Sequence, residues 1–346
     1  MLRLWKSLRH RLEWLALSLA VKLVPLFPRG AVHQLGQFLG RIAASIDAPG
    51  RKVALANLEA AFGEQFGPAE RKRIARGSYQ QFFCTMLELL WSPRLTRENY
   101  SDFIEIVGSE EAMARVENDD GVIVACYHYG NFEWLGLALG FIGLKIMIIS
   151  QRFKNPLLDP IFKKLREHAG HEMIPQERAV ARFIRGLKSR RAVGLLVDLT
   201  ITPREAAVAL DCFGMKTSAT AAHAWLHQRT GALIIPTHCE PLPDGRYRVV
   251  FHPALEVPAG ALRHEIAQMC WNSFEPYVRA NPAPWLWVYK QWRYRPEGTT
   301  RAYPFYAEVQ PPFEKLLRKQ ARLIKRRLKR AQVQQTAARA PLGTDG

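Results

Sequence analysis

Cysteine is scarce in this chain, and what there is does not cluster. Cys84, Cys126, Cys212, Cys239 and Cys270 are scattered through 346 residues, odd in number and without a C-x-x-C pair. That argues against a disulfide framework or a zinc module and suits a reducing compartment. Tandem repeats and long low-complexity blocks are missing. The apolar run near the N-terminus falls short of the ~20 residues a membrane-spanning helix needs. Acidic residues are few beside basic ones, 31 against 49, leaving a formal charge of +18 and a pI of about 10.0. A charge of that size implies a polyanionic partner: nucleic acid, an anionic membrane surface, a phosphorylated lipid or an acidic carrier protein.

What is present sets a class. The chain is 48% hydrophobic, enough to bury a large core as one big α/β domain or two smaller ones. Nine tryptophans favour interfaces that are apolar on one side and wet on the other. Arg3, Lys6, Arg9 and Arg11 precede an apolar stretch from Trp14 to Phe27 that Lys22 interrupts and Pro25 kinks, with no small-residue cleavage site after it. The expectation is a helix, within residues 1–30, lying in a membrane interface with its basic flank on the cytoplasmic side. The alternative is an amphipathic helix packed on the protein's own core.

Apolar periodicity predicts a mainly helical first hundred residues, with Ser78–Trp91 strongly apolar. From about residue 103, strands alternate with helices. Val122–Tyr127, Leu144–Ser150 and Ala192–Asp198 read as strands. Phe132–Ile142, Asn155–His168, Ala179–Ser189, Thr217–Thr230 and Ala261–Val278 read as helices. Pro243-Asp-Gly245 marks a hairpin between Leu233–Cys239 and Tyr247–His252. The fold class expected is α/β, a central mostly parallel or mixed sheet wrapped by helices, over residues 31–310. Residues 311–346 are expected to be a basic amphipathic helix, with Leu316, Leu317, Ile324 and Leu328 on one stripe, and then a disordered tail from Gln332.

The stretch richest in chemistry is His128-Tyr-Gly-Asn-Phe-Glu133, directly after the strand. Gly130 permits a tight turn and Asn131 can cap the next helix. His128 then stands at the carboxyl end of a strand, where α/β proteins bind ligands. Glu133 falls in the first helical turn, where the dipole favours its ionised form. A carboxylate folded back onto one imidazole nitrogen leaves the other basic and free for a substrate hydroxyl, a role that contributes ~10²–10⁴-fold in rate.

These surroundings resemble the bacterial lipid A biosynthesis (late) acyltransferases, a branch of the lysophospholipid acyltransferase superfamily whose H-x4-D/E motif follows a buried strand. Arg51-Lys-Val-Ala-Leu-Ala-Asn-Leu58 is similar to the family's R-x5-N-L segment, and Gln151 to Asp159 to its Y-R-P…N-P-L-x-D block. Phe213-Gly214, Arg229 to Ala232 and Trp287 to Gly298 match later segments. Three departures stand out: Gln151 and Phe153 replace Tyr and Pro, Asp198-Leu-Thr-Ile-Thr-Pro replaces D-[QH]-x-x-G, and Tyr289 replaces a histidine.

The resemblance implies a glycerolipid acyltransferase-like fold and a membrane-bound O-acyltransferase at the cytoplasmic face of a bacterial inner membrane. The implied donor is acyl-acyl carrier protein, and the acceptor a phosphorylated glycolipid, a lipid A precursor. His128 would be the general base and Glu133 its orienting acid. Arg166 would offset charge on the tetrahedral oxygen or hold phosphate. Arg152, Asn131, Gly130 and Asp198 are the substrate-binding candidates, with Asp198 either orienting an arginine or capping its loop. No metal or cofactor is called for. Other acceptors (a lysophospholipid, a phosphoinositide mannoside, another glycolipid) stay open, as does a non-enzymatic basic nucleic-acid-binding protein, although no nucleic-acid signature is present and none is expected as partner.

Other residues read more plainly. Cys126 invites a thiol route but is more often inert packing. His223 and His227 at i,i+4, and His168 and His171, read as satisfied helix or loop histidines. The Trp285–Trp292 aromatics are expected to pack the sheet edge or meet lipid headgroups.

Overall fold

The computed structural model describes residues 2–118, 121–150, 152–177, 179–189, 191–204 and 206–339. Four helices come first: α1 (Leu2–Leu23), α2 (Arg29–Ile46), α3 (Ala48–Phe62) and α4 (Pro68–Trp91). Then β1 (Ile104–Val107), α5 (Glu110–Glu117), β2 (Val122–Cys126), α6 (Phe132–Phe141), β3 (Ile146–Ser150), α7 (Asp159–Glu167), β4 (Glu172–Pro175), α8 (Ala179–Lys188) and β5 (Ala192–Leu196) alternate. A hairpin of β6 (Ala207–Cys212) and β7 (Met215–Thr220) follows, then α9 (Ala222–Thr230), β8 (Leu233–Pro241), β9 (Tyr247–Phe251) and α10 (Arg263–Ala280). Two short strands, β10 (Tyr294–Arg295) and β11 (Glu308–Val309), precede α11 (Pro311–Arg339).

Seven strands form the central sheet in the order β1-β9-β8-β2-β5-β3-β4. Its pairs are parallel except β8–β9, which is the expected hairpin around Pro243-Asp-Gly245. β2 lies inside the sheet, between β8 and β5, and all five of its residues are buried, as a parallel strand covered on both faces requires. Its side chains alternate between two cores. Ile123 and Ala125 pack with residues of α3, α8, α9 and α10, whereas Val122, Val124 and Cys126 pack with α6 and the strands beyond.

The expected α/β architecture is present, and the differences are local. Thr217–Thr230, expected as one helix, splits: Met215–Thr220 pairs with β6, and the helix begins only at Ala222. The reason lies in Phe213-Gly214, both at positive φ (51° and 73°), which is a two-residue turn whose twist suits a hairpin. The Phe213 ring offsets its backbone strain by packing among Phe62, Trp271, Trp285, Trp287 and Trp292. Those tryptophans correct another expectation. Trp285, Trp287 and Trp292 are buried in the core, not at an edge or a lipid surface. The tail helix also continues past Gln332 to Arg339, where disorder was expected, and residues 340–346 lie outside the described residues.

α1 packs through Leu17, Ala20 and Val21 against Leu89 and Leu90 of α4 and Leu165 of α7. Its other side, with Trp5, Leu8, Leu12, Leu15, Leu19 and Leu23, is exposed, and α2 adds exposed Leu35, Phe38, Ile42 and Ile46. Among the described residues, no helix is long and apolar enough to cross a membrane.

Candidate active site

The β2–β5 ladder builds the site. Cys126 is level with Leu196, and continuing that parallel register by two residues sets His128 beside Asp198. Asp198 Oδ1 accepts from His128 Nδ1 at 2.8 Å, and Oδ2 accepts from the His128 backbone N–H at 2.9 Å. Trp285 Nε1 donates to the same Oδ2 at 2.9 Å. Asp198 is buried, while the His128 side chain keeps 12% exposure. Burial alone would push the Asp198 carboxyl up. The facing imidazole and the donors from His128 and Trp285 outweigh it and hold the carboxyl below the usual carboxylate range. An ionised Asp198 fixes the proton on Nδ1 and leaves Nε2 as the basic nitrogen. The ring edge of His128 rests on Phe132, with centroids 4.9 Å apart.

Glu133 does not meet the histidine, contrary to expectation. Both of its oxygens are taken by Arg166, whose Nη2 donates at 2.6 Å and Nε at 2.9 Å. Glu133 is the second residue of α6, and the loop 127–131 separates it from the end of β2. The guanidinium fork on α7 matches the carboxylate in a way a single ring nitrogen cannot. The Arg166 face also lies 5.5 Å from the Phe162 ring. Asp198, for its part, orients neither Arg152 nor Arg166.

The rest of the motif is structural. Asn131 is fully buried: its Oδ1 caps α6 by accepting from Trp134 N at 3.0 Å, and its Nδ2 donates to Glu88 at 2.8 Å. Gly130 sits at φ +57°, and a Cβ there would lie 2.0 Å from the Cys239 carbonyl oxygen of β8. Neither residue has a polar side-chain atom left for substrate. Arg152 is exposed and paired with Glu177 at 3.1 Å. In the same block, Asn155 donates to the His10 carbonyl and to Glu13, both at 2.9 Å, tying the loop to α1. Gln151 lies outside the described residues.

Two groups of residues that hold the site in place were not foreseen. The first is the closing segment, which clamps the Asp198 loop. Besides Trp285, Gln291 Nε2 donates to the Asp198 carbonyl at 2.8 Å and Tyr289 OH to the Thr200 carbonyl at 2.7 Å. Asn57 holds that segment in turn, donating to the Trp287 and Tyr289 carbonyls at 2.7 Å each. The second is Glu88, fully buried on α4. Arg29 Nη2 at 2.7 Å and His33 Nδ1 at 3.0 Å face its Oε1, while Asn131 and Tyr247 OH at 2.7 Å reach Oε2. The one signal in the sequence was an acidic residue amid Met86, Leu87, Leu89 and Leu90.

Other histidines and the thiol fall away from the chemistry. Burial pushes the Cys126 thiol well up, so it is not a nucleophile near neutral pH. His171 and His227 are hydrogen-bonded to the Gly136 and Ala232 carbonyls, and His168 to that of Leu95. His223 departs from its expected reading. Both of its ring nitrogens are buried without a partner, and burial lowers its pKa to about 4.

Comparison with known proteins is consistent with this geometry. Residues 3–294 match the sequence family described as bacterial lipid A biosynthesis acyltransferase. The lipid A biosynthesis lauroyltransferase of Escherichia coli K12 is 23% identical over 301 residues, 85% of this chain and 95% of the relative. The phosphatidylinositol mannoside acyltransferase of Mycolicibacterium smegmatis is 24% identical over 229 residues, 65% of this chain and 73% of the relative. The Escherichia coli lipid A biosynthesis myristoyltransferase is 24% identical over 311 residues, 86% of this chain and 93% of the relative.

Proposed function

Since the chain belongs to the bacterial lipid A biosynthesis acyltransferase family, and is thus an acyltransferase working on a lipid acceptor, we propose that it moves a fatty acyl group from an acyl carrier protein thioester to a hydroxyl of a lipid A precursor. The reading rests on one observation above all. His128 stands just past the carboxyl end of β2 with Nδ1 locked to a buried, ionised Asp198, and among the described residues no hydrogen bond is made at Nε2.

In the proposed reaction, Nε2 takes the proton of the acceptor hydroxyl as its oxygen attacks the thioester carbonyl. A C–O bond forms, the tetrahedral intermediate collapses, and the C–S bond breaks. The departing thiolate takes the proton back from the imidazolium. Asp198 holds the reactive tautomer and stabilises the imidazolium in between, which is the work first assigned to Glu133. Glu133 instead anchors Arg166, whose remaining donors serve an anionic substrate group, either the developing oxyanion or a phosphate. The exposed apolar stripe of α1, with that of α2, supports seating in a membrane interface, and the proposed site of action is the cytoplasmic face of the bacterial inner membrane.

Purified protein is offered acyl-acyl carrier protein with a lipid A precursor, and the lipids are read by mass spectrometry. One added acyl chain is expected with wild type and none with His128→Ala. Unchanged transfer by that variant defeats the assignment. A phosphoinositide mannoside acceptor is the second reading. Its support is that the Mycolicibacterium relative matches at an identity like that of the lauroyltransferase, 24% against 23%, though over 65% of this chain against 85%, and the same assay with that acceptor decides between them.

A further inference from the structure

The helix α11 lies beyond residue 294, where the family match stops. Its inner face is consumed by the protein. Phe313 is fully buried, and Leu316, Leu317, Gln320, Ile324 and Arg327 are half-buried along the same side. Gln320 uses its amide as a strand residue would: Oε1 accepts from the Ala209 N–H at 2.7 Å, and Nε2 donates to the Ala209 carbonyl at 3.1 Å. Arg327 closes a two-pronged ion pair on Glu265 of α10.

The outer face is a different surface. Lys315, Lys319, Arg322, Arg326 and Lys329 recur at three- and four-residue steps, so they share one stripe, flanked by Arg318, Lys325 and Arg330. All eight are exposed, and the one carboxylate of this segment, Glu314, pairs with Arg318. Such a face attracts a polyanion. Two observations decide which kind. A helix that lies in a bilayer turns its apolar stripe outward, as α1 does, but α11 turns most of that stripe, from Phe313 to Ile324, onto β6 and α10, leaving Leu323 and Leu328 exposed. Moreover, α1 is stacked on the α4–α7 side of the sheet and α11 on the α10 side.

The inner face of α11 connects through the β6–β7 hairpin to the loop after Asp198. Gln320 pairs with Ala209 of β6, Ala209 is opposite Ser218 of β7, and the Ser218 carbonyl accepts from Ile201 N–H, just past Asp198. The two strand spacings, from β6 to β7 and from β7 to the Ile201 segment, amount to roughly 10 Å, and α11 lies beyond β6. We infer that the outer face of α11 is the docking surface for the acidic protein that carries the acyl thioester, holding it within reach of His128. This rests on the reading of the protein as a thioester-dependent acyltransferase.

The test is the variant Lys319→Glu/Arg322→Glu/Arg326→Glu, which touches neither the inner face nor the catalytic pair. Acyl transfer is measured from acyl-acyl carrier protein and from acyl-coenzyme A, and the affinity for the carrier protein is measured separately. The carrier KM and Kd are expected to rise tenfold or more, with transfer from acyl-coenzyme A within twofold of wild type. Wild-type carrier affinity is expected to weaken as salt rises, and the variant's much less. An unchanged carrier Kd overturns the inference. So does an equal loss with both donors accompanied by lost binding to anionic phospholipid vesicles, which makes α11 a membrane contact. Wild type that binds the carrier but transfers from neither donor refutes the enzymatic reading and leaves the docking surface standing.

Discussion

Asp198→Asn is the sharpest test of the site, because the two acids available to His128 predict different outcomes. Asp198 accepts three donors: two from His128 and one from Trp285. An amide has one oxygen to share among them, and its NH₂ must face a donor. If the NH₂ faces Nδ1, the imidazole is driven to the tautomer with its proton on Nε2, and the base is lost. The same substitution on an Asp–His pair that works in this way costs ~10⁴-fold in kcat, and at about 1.36 kcal/mol per decade a loss of 10³–10⁴-fold is about 4–5.5 kcal/mol of barrier. The loss is expected in kcat, with KM for the acceptor nearly unchanged, since Asp198 is buried and touches the ring rather than substrate. Steady-state acyl transfer reads both constants, and a thermal melt confirms that the variant is folded. Glu133→Gln is the control. It keeps one acceptor for Arg166 and is expected to lose less rate than Asp198→Asn. Activity of Asp198→Asn within tenfold of wild type, together with a dead Glu133→Gln, refutes the argument and returns the orienting role to Glu133.

Arg166→Ala strands a buried carboxylate and should cost about 3–5 kcal/mol in denaturant unfolding, part of which Glu133→Gln on top restores. Gly130→Ala puts a Cβ against the Cys239 carbonyl and should abolish soluble expression or lower Tm sharply. Gly63→Ala, at a similar φ of +53° but with open space, should cost less, about 1–3 kcal/mol of backbone strain. His223 has a folded pKa near 4, below its unfolded value. The stability tied to its neutral form is complete above about pH 6.5 and drains away as pH falls towards 4. His223→Leu should flatten that loss and, by removing two unpartnered nitrogens, gain about 1–3 kcal/mol at pH 5 in urea melts. Replacing Leu8, Leu12 and Leu19 with serine should leave the melt intact, because all three are exposed, and reduce phospholipid vesicle binding by roughly a hundredfold.

Periodicity was enough to find the sheet and the helices that wrap it, because β2, β3 and β5 are continuous apolar runs and α6 and α10 carry helical spacing. It missed the β6–β7 hairpin. There the turn needs a phenylalanine at positive φ, which propensity counts against, and only the surrounding aromatic core offsets it. At the site, His128, Glu133, Arg166 and Asp198 were named from the sequence, but their pairing was not. Proximity along the chain favoured Glu133 for His128. The actual partner sits 70 positions away, brought level by strand order, which a single sequence does not display. Asn131 and Gly130 were legible as turn and cap residues. The donors on Glu88 and the clamp of Trp285, Tyr289 and Gln291 on the Asp198 loop were not, since each joins segments that meet only in the folded protein.

The two halves of the proposed catalytic couple, His128 and Asp198, each follow by two residues the end of one of two adjacent strands in the middle of a seven-stranded sheet, and their spacing follows from backbone ladder geometry. Mobile surface segments can therefore loosen with warmth while the couple stays assembled. Heat inactivation should coincide with cooperative melting of the sheet instead of preceding it, and activity regained on cooling should equal the fraction of chains that refold.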